Sequence, residues 1–425
     1  MYSKYIKAVI SAFTLLLLLS CNEEFEVNSS YFSTINNTSK TIVYRGEKAG
    51  DFKEVNQHIA WEMVENLVVE GHINQRDLYQ IRNYARPINS AIKNLDFKNA
   101  DILEGIFPTS LFYENEQLER FVYPRSIMHT GNLILNNCTN IHQIIIPEKV
   151  DILGHGVFDE ISNLYNKKTP MSKEKYAIPN MVKELGNGCF SNYPYPTISI
   201  PNSVEKIGIS CFLNSQLVSF TFPPKVSSVS NALFSGSKRL KTVKMHANIT
   251  RIEEHAFSQT GIQTLQMPTS IKTVGKSFIS ETPQLKTIQW SPNITALGEE
   301  ALAYIYLEEF RVPKNITRLG RHCFFGAKTK RYYFHKNITH LGEGIFNFLI
   351  KETKTPYAFI EELHVQWQTP PAVGKAFQVS IDFKMVPILN GAPDFSTVTL
   401  YVPKGTKNAY QQAKDWKKFK KIIEE

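Results

Sequence analysis

The chain is poor in cysteine and carries no dense charge of one sign. Its 425 residues include only five cysteines, too few for a disulfide-rich scaffold. The formal net charge of +9 is small for this length, so charge alone does not predict a nucleic-acid partner. Hydrophobic residues make up 42% of the chain and charged residues 20%, which excludes a largely disordered protein.

Catalytic and metal-binding motifs are missing as well. The sequence has no Gly-x-Ser-x-Gly, no phosphate-binding loop and no His-Glu-x-x-His. We therefore expect no enzymatic activity, no metal site and no cofactor. After residue 20 no apolar run approaches the roughly 20 residues that span a bilayer, so we expect the rest of the chain to be soluble.

The first 21 residues follow the pattern of an export signal. Lys4 and Lys7 precede an apolar stretch that ends in Leu-Leu-Ser directly before Cys21. A charged start, a short apolar core and a small residue at the cut are typical of a secretory signal peptide. A cysteine in this place resembles the bacterial lipobox, which implies a signal peptide at 1–20 and acylation of Cys21. The alternative is an ordinary signal peptide with an incidental cysteine.

An acidic segment, Asn-Glu-Glu-Phe-Glu, occupies residues 22–26. It resembles the tag that directs lipoproteins of some Gram-negative anaerobes to the outer face of the outer membrane. Residues 21–40 would then form a flexible tether. We expect an outer-membrane lipoprotein exposed on the cell surface and held to the membrane by its lipid anchor alone. A solvated acidic linker is the alternative.

An internal repeat organises the rest of the chain. With Pro201 as position 0, apolar residues fall at −3, −1, +3, +6 and +11, glycine at +7 and a small residue at +10. Except for one interval of 32 residues, successive copies are 22 or 23 residues apart. The other copies are centred on Pro124, Pro147, Pro179, Pro223, His246, Pro268, Ser291, Pro313 and His335.

The repeat predicts a stack of coils. Alternation at −3 and −1 is typical of a strand with one buried face, and proline at position 0 ends that strand. Glycine at +7 suggests a turn with positive φ, and the bulky residue at +11 closes the coil. A coil this short cannot bury its apolar face alone, so the coils must stack with their strands parallel.

The spacing and the form L-x-x-I-x-I-P-x-x-V-x-x-I-G-x-x-A-F resemble the BspA-like leucine-rich repeat family of bacterial surface proteins. The resemblance implies an α/β leucine-rich-repeat solenoid, a β-rich curved stack with an N-terminal cap at 41–117, coils at 118–362 and a closing coil and helical cap at 363–425. Tyr410, Ala413, Trp416 and Phe419 recur every three residues, which favours an amphipathic helix in that cap.

Two residue patterns have a structural explanation within the repeat. Cys189, Cys211 and Cys323 fall at +10, where we expect buried thiols, although Cys189 and Cys211 are close enough for a disulfide on distance alone. Asn-Ile-Thr occurs four times and matches the N-glycosylation acceptor. The repeat explains it better, because asparagine then lies in the turn and isoleucine in the core.

Outward strand positions are the best place to look for a ligand. When −3 and −1 face the core, −2 and −4 face outwards, and in the later coils these positions are polar or cationic. Arg311 and Tyr333 would lie about 5 Å apart, close enough to clasp an acidic or planar group, and both types are enriched at binding hot spots. The candidate ligand-binding residues are Lys244, Gln266, Gln289, Arg311, Arg331 and Tyr333, with a solvated sheet face as the alternative.

The long interval between Pro147 and Pro179 indicates a loop that leaves the solenoid. It carries four lysines and is a second candidate contact, or else a solvated insertion; the lysines are Lys167, Lys168, Lys173 and Lys175.

The resemblance implies a non-enzymatic recognition or adhesion protein that binds a host or bacterial surface protein or glycan. One alternative is a docking component of an outer-membrane nutrient-uptake assembly. A hydrolase of surface polymers is disfavoured because no acid, base or nucleophile set converges.

Overall fold

The computed structural model describes residues 32–34, 40–55, 59–85, 91–159, 178–346, 348–350, 360–377, 389–391 and 394–425. The leader, Cys21, the acidic segment and the four-lysine loop lie outside these residues. Within them, three α-helices and one 3₁₀ turn accompany 26 strands. None of the helices is long and apolar enough to cross a membrane.

The N-terminal residues already belong to a parallel sheet. Its six strands are β1 (Phe32–Thr34), β2 (Thr41–Gly46), β3 (Asn66–Ile73), β4 (Asn94–Ile102), β5 (Arg120–Val122) and β6 (Gln143–Ile145). Only β1 runs antiparallel to its neighbour. The 3₁₀ turn Trp61–Met63 and the helices α1 (Phe52–Val55) and α2 (Gln75–Ala85) lie between these strands. The region predicted as a cap therefore extends the ladder of the coils.

Each regular coil contributes up to two strands. A strand of three or four residues starts at −4, and a two-residue strand covers +5 and +6, which the repeat pattern did not predict. The strands are β7 (Ile152–Leu153), β8 (Glu184–Leu185), β9 (Lys206–Ile207), β10 (Ser219–Thr221), β11 (Ser228–Val229), β12 (Thr242–Lys244), β13 (Arg251–Ile252), β14 (Thr264–Gln266), β15 (Thr273–Val274), β16 (Thr287–Gln289), β17 (Ala296–Leu297), β18 (Glu309–Arg311), β19 (Arg318–Leu319), β20 (Arg331–Phe334), β21 (His340–Leu341), β22 (Phe348–Ile350), β23 (Glu362–Val365), β24 (Leu389–Gly391), β25 (Thr399–Val402) and β26 (Lys421–Glu424).

The register confirms the stacked coils. In β14 and β16, Thr264 pairs with Thr287 and Gln266 with Gln289, and in β13 and β15, Arg251 pairs with Thr273. All of these pairs are parallel and join equivalent positions of adjacent coils. Position −2 of one coil therefore lies directly beside position −2 of the next.

The core follows the predicted apolar ladder. The rings at +11 stack face to face through five coils, from Phe158 through Phe190, Phe212 and Phe234 to Phe257, with centroids 4.9–5.8 Å apart. From Phe190 onwards these rings are buried. The cysteines at +10 are buried free thiols as expected, so Cys189 and Cys211 form no disulfide. Burial raises the pKa of Cys211 to about 12, which keeps this thiol protonated.

The expected role of the +7 glycines is wrong. None of them has a positive φ; that conformation occurs instead at +9, where it is found even in His255 and His322. A Cβ on Gly320 would lie 2.5 Å from the carbonyl carbon of Gly298, its equivalent in the preceding coil. Glycine is needed at +7 because neighbouring backbones approach too closely for a side chain.

The C-terminal helix is shorter than the three-residue spacing predicts. Helix α3 is Lys407–Gln412, and Ala413 after it is extended. Trp416 and Phe419 are buried from turns. The indole of Trp416 donates to the carbonyl of Pro371 at 2.8 Å. A three-residue period fits successive turns as well as a helix, and the chain ends in β26, which pairs with β25.

Asparagine and histidine side chains tie neighbouring turns together. The amide of Asn248 donates to the carbonyl of Pro224 at 2.8 Å, and that of Asn293 to the carbonyl of Thr269 at 2.7 Å. Nε2 of His246 and of His335 lies 2.7 and 2.9 Å from a proline carbonyl in the preceding coil. These residues have a structural role in the turns, as the repeat predicts.

Candidate functional site

The six predicted ligand-binding residues all belong to strands of one ladder. In that ladder, Gln266 lies beside Gln289, and Arg311 lies beside Tyr333. Arg331 is level with Glu309 of the preceding coil, and Lys244 is level with Thr221. The outward orientation is confirmed for Lys244, Gln266, Gln289 and Arg311, which are exposed, whereas Arg331 and Tyr333 are half-buried.

Arg311 and Tyr333 are in direct contact. The guanidinium carbon of Arg311 lies 3.5 Å from the centroid of the Tyr333 ring. Nothing can enter between two groups at this distance, so the clasp predicted from strand spacing is wrong. The side chains lean together because a guanidinium is attracted to an aromatic face.

The contact is one end of a longer stack. Tyr333 stacks on His364 with centroids 4.3 Å apart, and His364 stacks on Tyr401 at 4.2 Å with an interplanar angle of 2°. The strands β20, β23 and β25 place these three residues level with one another. We call Arg311, Tyr333, His364 and Tyr401 the aromatic ladder.

Carboxylates neutralise the cations that the sequence places here. Glu309 accepts from Nε and Nη2 of Arg311 at 2.9 and 3.4 Å. This hydrogen bond lowers the pKa of Glu309 and raises that of Arg311. Arg331 lies 3.5 Å from Glu308 and 3.8 Å from Glu309. The surface is therefore one of balanced charge, and the expectation of a cationic face is not met at these two arginines.

His364 is held from both sides of its ring. Nδ1 lies 3.0 Å from a carboxylate oxygen of Glu425, and Nε2 lies 3.2 Å from one of Glu362. Only 12% of the His364 side chain is exposed. A carboxylate can only accept, so the two contacts are satisfied together when both ring nitrogens donate. Burial and then Glu362 raise the pKa of Tyr401, which keeps its hydroxyl protonated.

Sequence reasoning missed His364 and Tyr401, although the signal was present. The segment Leu-Tyr-Val-Pro at 400–403 repeats the −3 to 0 pattern and puts Tyr401 at −2. Leu363 and Val365 flank His364 in the same way, but Gln366 stands where proline would mark the coil. The longer intervals between these last coils also break the 22-residue period by which the frame was extended.

The described residues contain no group of three His, Cys, Asp or Glu side chains arranged to hold a metal ion. A shallow depression of about 340 Å³ lies over the short strands and includes Arg251, Glu253 and Thr273. Arg251 Nε is 3.1 Å from Glu253, so its main charges already pair with each other. The aromatic ladder is thus the most ordered polar surface, and its chemistry is that of binding: stacked rings with hydroxyl and carboxylate groups at their edges.

Comparison with known proteins places this architecture in context. The sequence profile of the BspA type leucine rich repeat region matches six copies over residues 80–176, 169–286 and 240–353. No curated protein matches the chain.

Several solved bacterial structures are similar to the chain. A leucine-rich repeat protein from Bacteroides ovatus is 18% identical, with 64% of this chain and 84% of that chain covered and a TM-score of 0.36. A leucine rich cell surface protein from Faecalibacterium prausnitzii is 15% identical, with 93% of both chains covered and a TM-score of 0.41. The pneumococcal vaccine antigen PcpA is 13% identical, with 85% and 79% covered and a TM-score of 0.39.

Proposed function

The chain belongs to the BspA type leucine-rich repeat family, and on this premise we propose that it is a non-enzymatic surface protein that binds a protein ligand through the aromatic ladder. Family membership accounts for the repeat scaffold. A scaffold of this kind does not specify its ligand, so the choice of surface rests on the residues of the ladder.

The observation that carries the proposal is the continuous stack from Arg311 to Tyr401. Arginine and tyrosine are over-represented among residues that dominate binding energies. Their side chains are already ordered by stacking at 4.2–4.3 Å between rings, so a ligand would not have to immobilise them. Preorganised groups of this type on rigid strands form a good contact surface for another protein.

The test is capture of ligands from a panel of host matrix proteins and mucin glycans by a soluble form that begins at residue 22. The double variant Tyr333→Ala with Tyr401→Ala should weaken binding of a captured protein by about tenfold or more, because hot-spot residues contribute about 2 kcal/mol or more each. The matched control, Ser199→Ala with Thr221→Ala, changes exposed residues at the same repeat position in earlier coils and should leave binding within twofold.

Two results would contradict this assignment. Loss of capture in the early-coil variant, with the ladder variant unaffected, would move the site to the N-terminal half. Capture of mucin glycans alone, with no protein bound, would show that the ligand class is wrong.

The proposal includes anchoring at the cell surface through Cys21. The lipobox-like leader and the acidic segment after it support this location. Wild-type protein should enter the detergent phase in a detergent-partitioning assay and be digested by protease added to whole cells. Cys21→Ala should shift the protein into the aqueous phase. A wild-type protein that already partitions into the aqueous phase would show that there is no lipid anchor.

A further inference from the structure

The positive charge of the chain is concentrated at its last coil. Residues 404–421 contain seven lysines and one acid, Asp415, and so carry a charge of +6. The whole chain carries only +9. A basic cluster of this density produces a local field that the net charge of the protein does not suggest.

The fold displays these lysines on the end of the solenoid. The cap packs its apolar side chains, including Tyr410, Trp416, Phe419 and Ile422, against the last coil, where they are buried. Six of the intervening lysines are exposed. We call these the basic end: Lys404, Lys407, Lys414, Lys417, Lys420 and Lys421. The seventh, Lys418, is half-buried and lies 3.3 Å from the carbonyl oxygen of Phe377, so it is excluded.

Acids in the same segment do not neutralise the basic end. Glu424 accepts the backbone N–H of Lys407 at 2.9 Å, and this bond lowers the pKa of Glu424. Glu425 contacts His364, and Asp415 accepts the N–H of Val373 at 3.3 Å. Each carboxylate is committed to holding the cap. Among the described residues, no salt bridge joins the six lysines of the basic end to an acid.

Lysines elsewhere in the coils are arranged differently. The ammonium groups of Lys206, Lys225 and Lys276 lie 2.6, 2.7 and 3.1 Å from glutamates of a neighbouring coil. These lysines are exposed and paired, whereas those of the basic end are exposed and unpaired. The contrast makes solubility alone a poor explanation for the cluster.

From this arrangement we infer that the basic end is a second binding surface, which takes a linear anionic polysaccharide. All six cations are lysines. An ammonium group is a point charge with rotatable donors, whereas arginine is favoured where a fixed carboxylate or phosphate is recognised in two-point geometry. A flexible chain with closely repeated sulfate or carboxylate groups matches mobile point charges better than a folded acidic protein does. Basic clusters of this density are typical of heparin-like ligands.

The experiment uses heparin as the probe and neutral dextran as its control. Wild-type protein should bind heparin and not dextran, and its affinity should fall as salt rises. The variant Lys414→Gln, Lys417→Gln and Lys420→Gln should bind about tenfold or more weakly, and the slope of log K against log salt should become shallower by about 2–3, at roughly 0.7–0.9 for each lost contact.

The matched control is Lys206→Gln, Lys225→Gln and Lys276→Gln, which removes the same charge from paired lysines. Heparin binding within twofold of wild type in this control supports the inference. An equal loss in both triple variants would overturn it, because net charge alone would then explain binding. Failure of the wild type to bind heparin would also overturn it, as would tighter binding to duplex DNA or to phosphatidylserine vesicles at the same salt.

The ladder variant, Tyr333→Ala with Tyr401→Ala, separates this inference from the proposed function. It should keep wild-type affinity for heparin even if it loses the protein ligand. Loss of heparin binding in that variant, with the melting temperature unchanged, would show that the polysaccharide uses the ladder and not the basic end.

Discussion

The strongest test of how the coils pack is a substitution at Gly320. A Cβ at this position would lie 2.5 Å from the carbonyl carbon and 2.6 Å from the carbonyl oxygen of Gly298, and 2.8 Å from the nitrogen of Glu299. Carbon atoms that are not bonded to each other pack at roughly 3.5–4.0 Å. Alanine therefore requires the two backbones to separate by about 1 Å, and no flexible side chain can absorb the movement.

The cost follows from the hydrogen bonds that run through this point. Gly320 donates to the carbonyl of Leu297 at 2.9 Å, and Gly342 of the next coil donates to Leu319 at 2.7 Å. A separation of about 1 Å breaks the first bond and weakens the second. Each lost backbone bond costs about 1–3 kcal/mol when its groups are left unsatisfied, so we expect Gly320→Ala to lower the free energy of unfolding by about 3 kcal/mol.

Asparagine distinguishes this explanation from a conformational one. Asparagine tolerates positive φ better than alanine does, so it would partly replace a glycine needed for φ alone. At Gly320, Gly320→Asn should cost at least as much as Gly320→Ala. At Gly188, where φ is +58° and the nearest atom to a Cβ is 3.2 Å away, Asn should be milder than Ala, which we expect to cost about 1–2 kcal/mol.

Equilibrium urea unfolding of the soluble chain, followed by circular dichroism, measures these differences as shifts of the midpoint at constant slope. A cost below about 1 kcal/mol for Gly320→Ala, or a milder effect of Gly320→Asn than of Gly320→Ala, would refute close backbone approach as the reason for glycine.

Three further predictions concern the core. Phe212→Ala should cost about 3–5 kcal/mol and more than Phe257→Ala, because Phe212 has stacked rings on both sides; Thr264→Ala, on the exposed face, should stay within roughly 0.5 kcal/mol. Equal urea midpoints for these variants would contradict the repeat frame. Burial, followed by the charge of Arg321, lowers the pKa of His322 below its usual 6.5. The unfolded chain therefore binds more protons below about pH 6.5, and stability should fall as the pH drops through that range; His322→Asn should flatten this dependence, and an unchanged pH profile would argue against it. Thiol reagents should leave the four described cysteines unlabelled in the native protein and label all four after denaturation; rapid native labelling would show that the thiols are accessible.

Much of the fold could be predicted from periodicity alone. A 22- or 23-residue repeat with apolar residues at fixed positions permits only stacking of equivalent coils, because each coil exposes an apolar face until it meets the next. Burial of Phe212, Cys211 and the +3 and +6 residues, and the parallel register of strands such as β14 and β16, followed directly from that pattern. The turn roles of Asn248 and His246 followed from their places in it.

Other features depend on distances between coils, which no sequence pattern contains. The glycines at +7 have the same sequence signal whether they serve a positive φ or a close contact, and only the stacked backbones show that Gly320 meets Gly298. The C-terminal helix stops at Gln412 because the following residues pack better as turns against the last coil, although their three-residue spacing suits either conformation.

The candidate site shows the same division. Sequence alone placed Arg311 and Tyr333 on adjacent outward positions, because strand alternation decides which way a side chain points. Only tertiary structure decided that their side chains touch, that Glu309 neutralises the arginine, and that His364 and Tyr401 continue the stack. Those contacts join residues from 22 to 61 positions apart in the chain, and they exist because parallel stacking brings equivalent positions of separate coils within reach of one another.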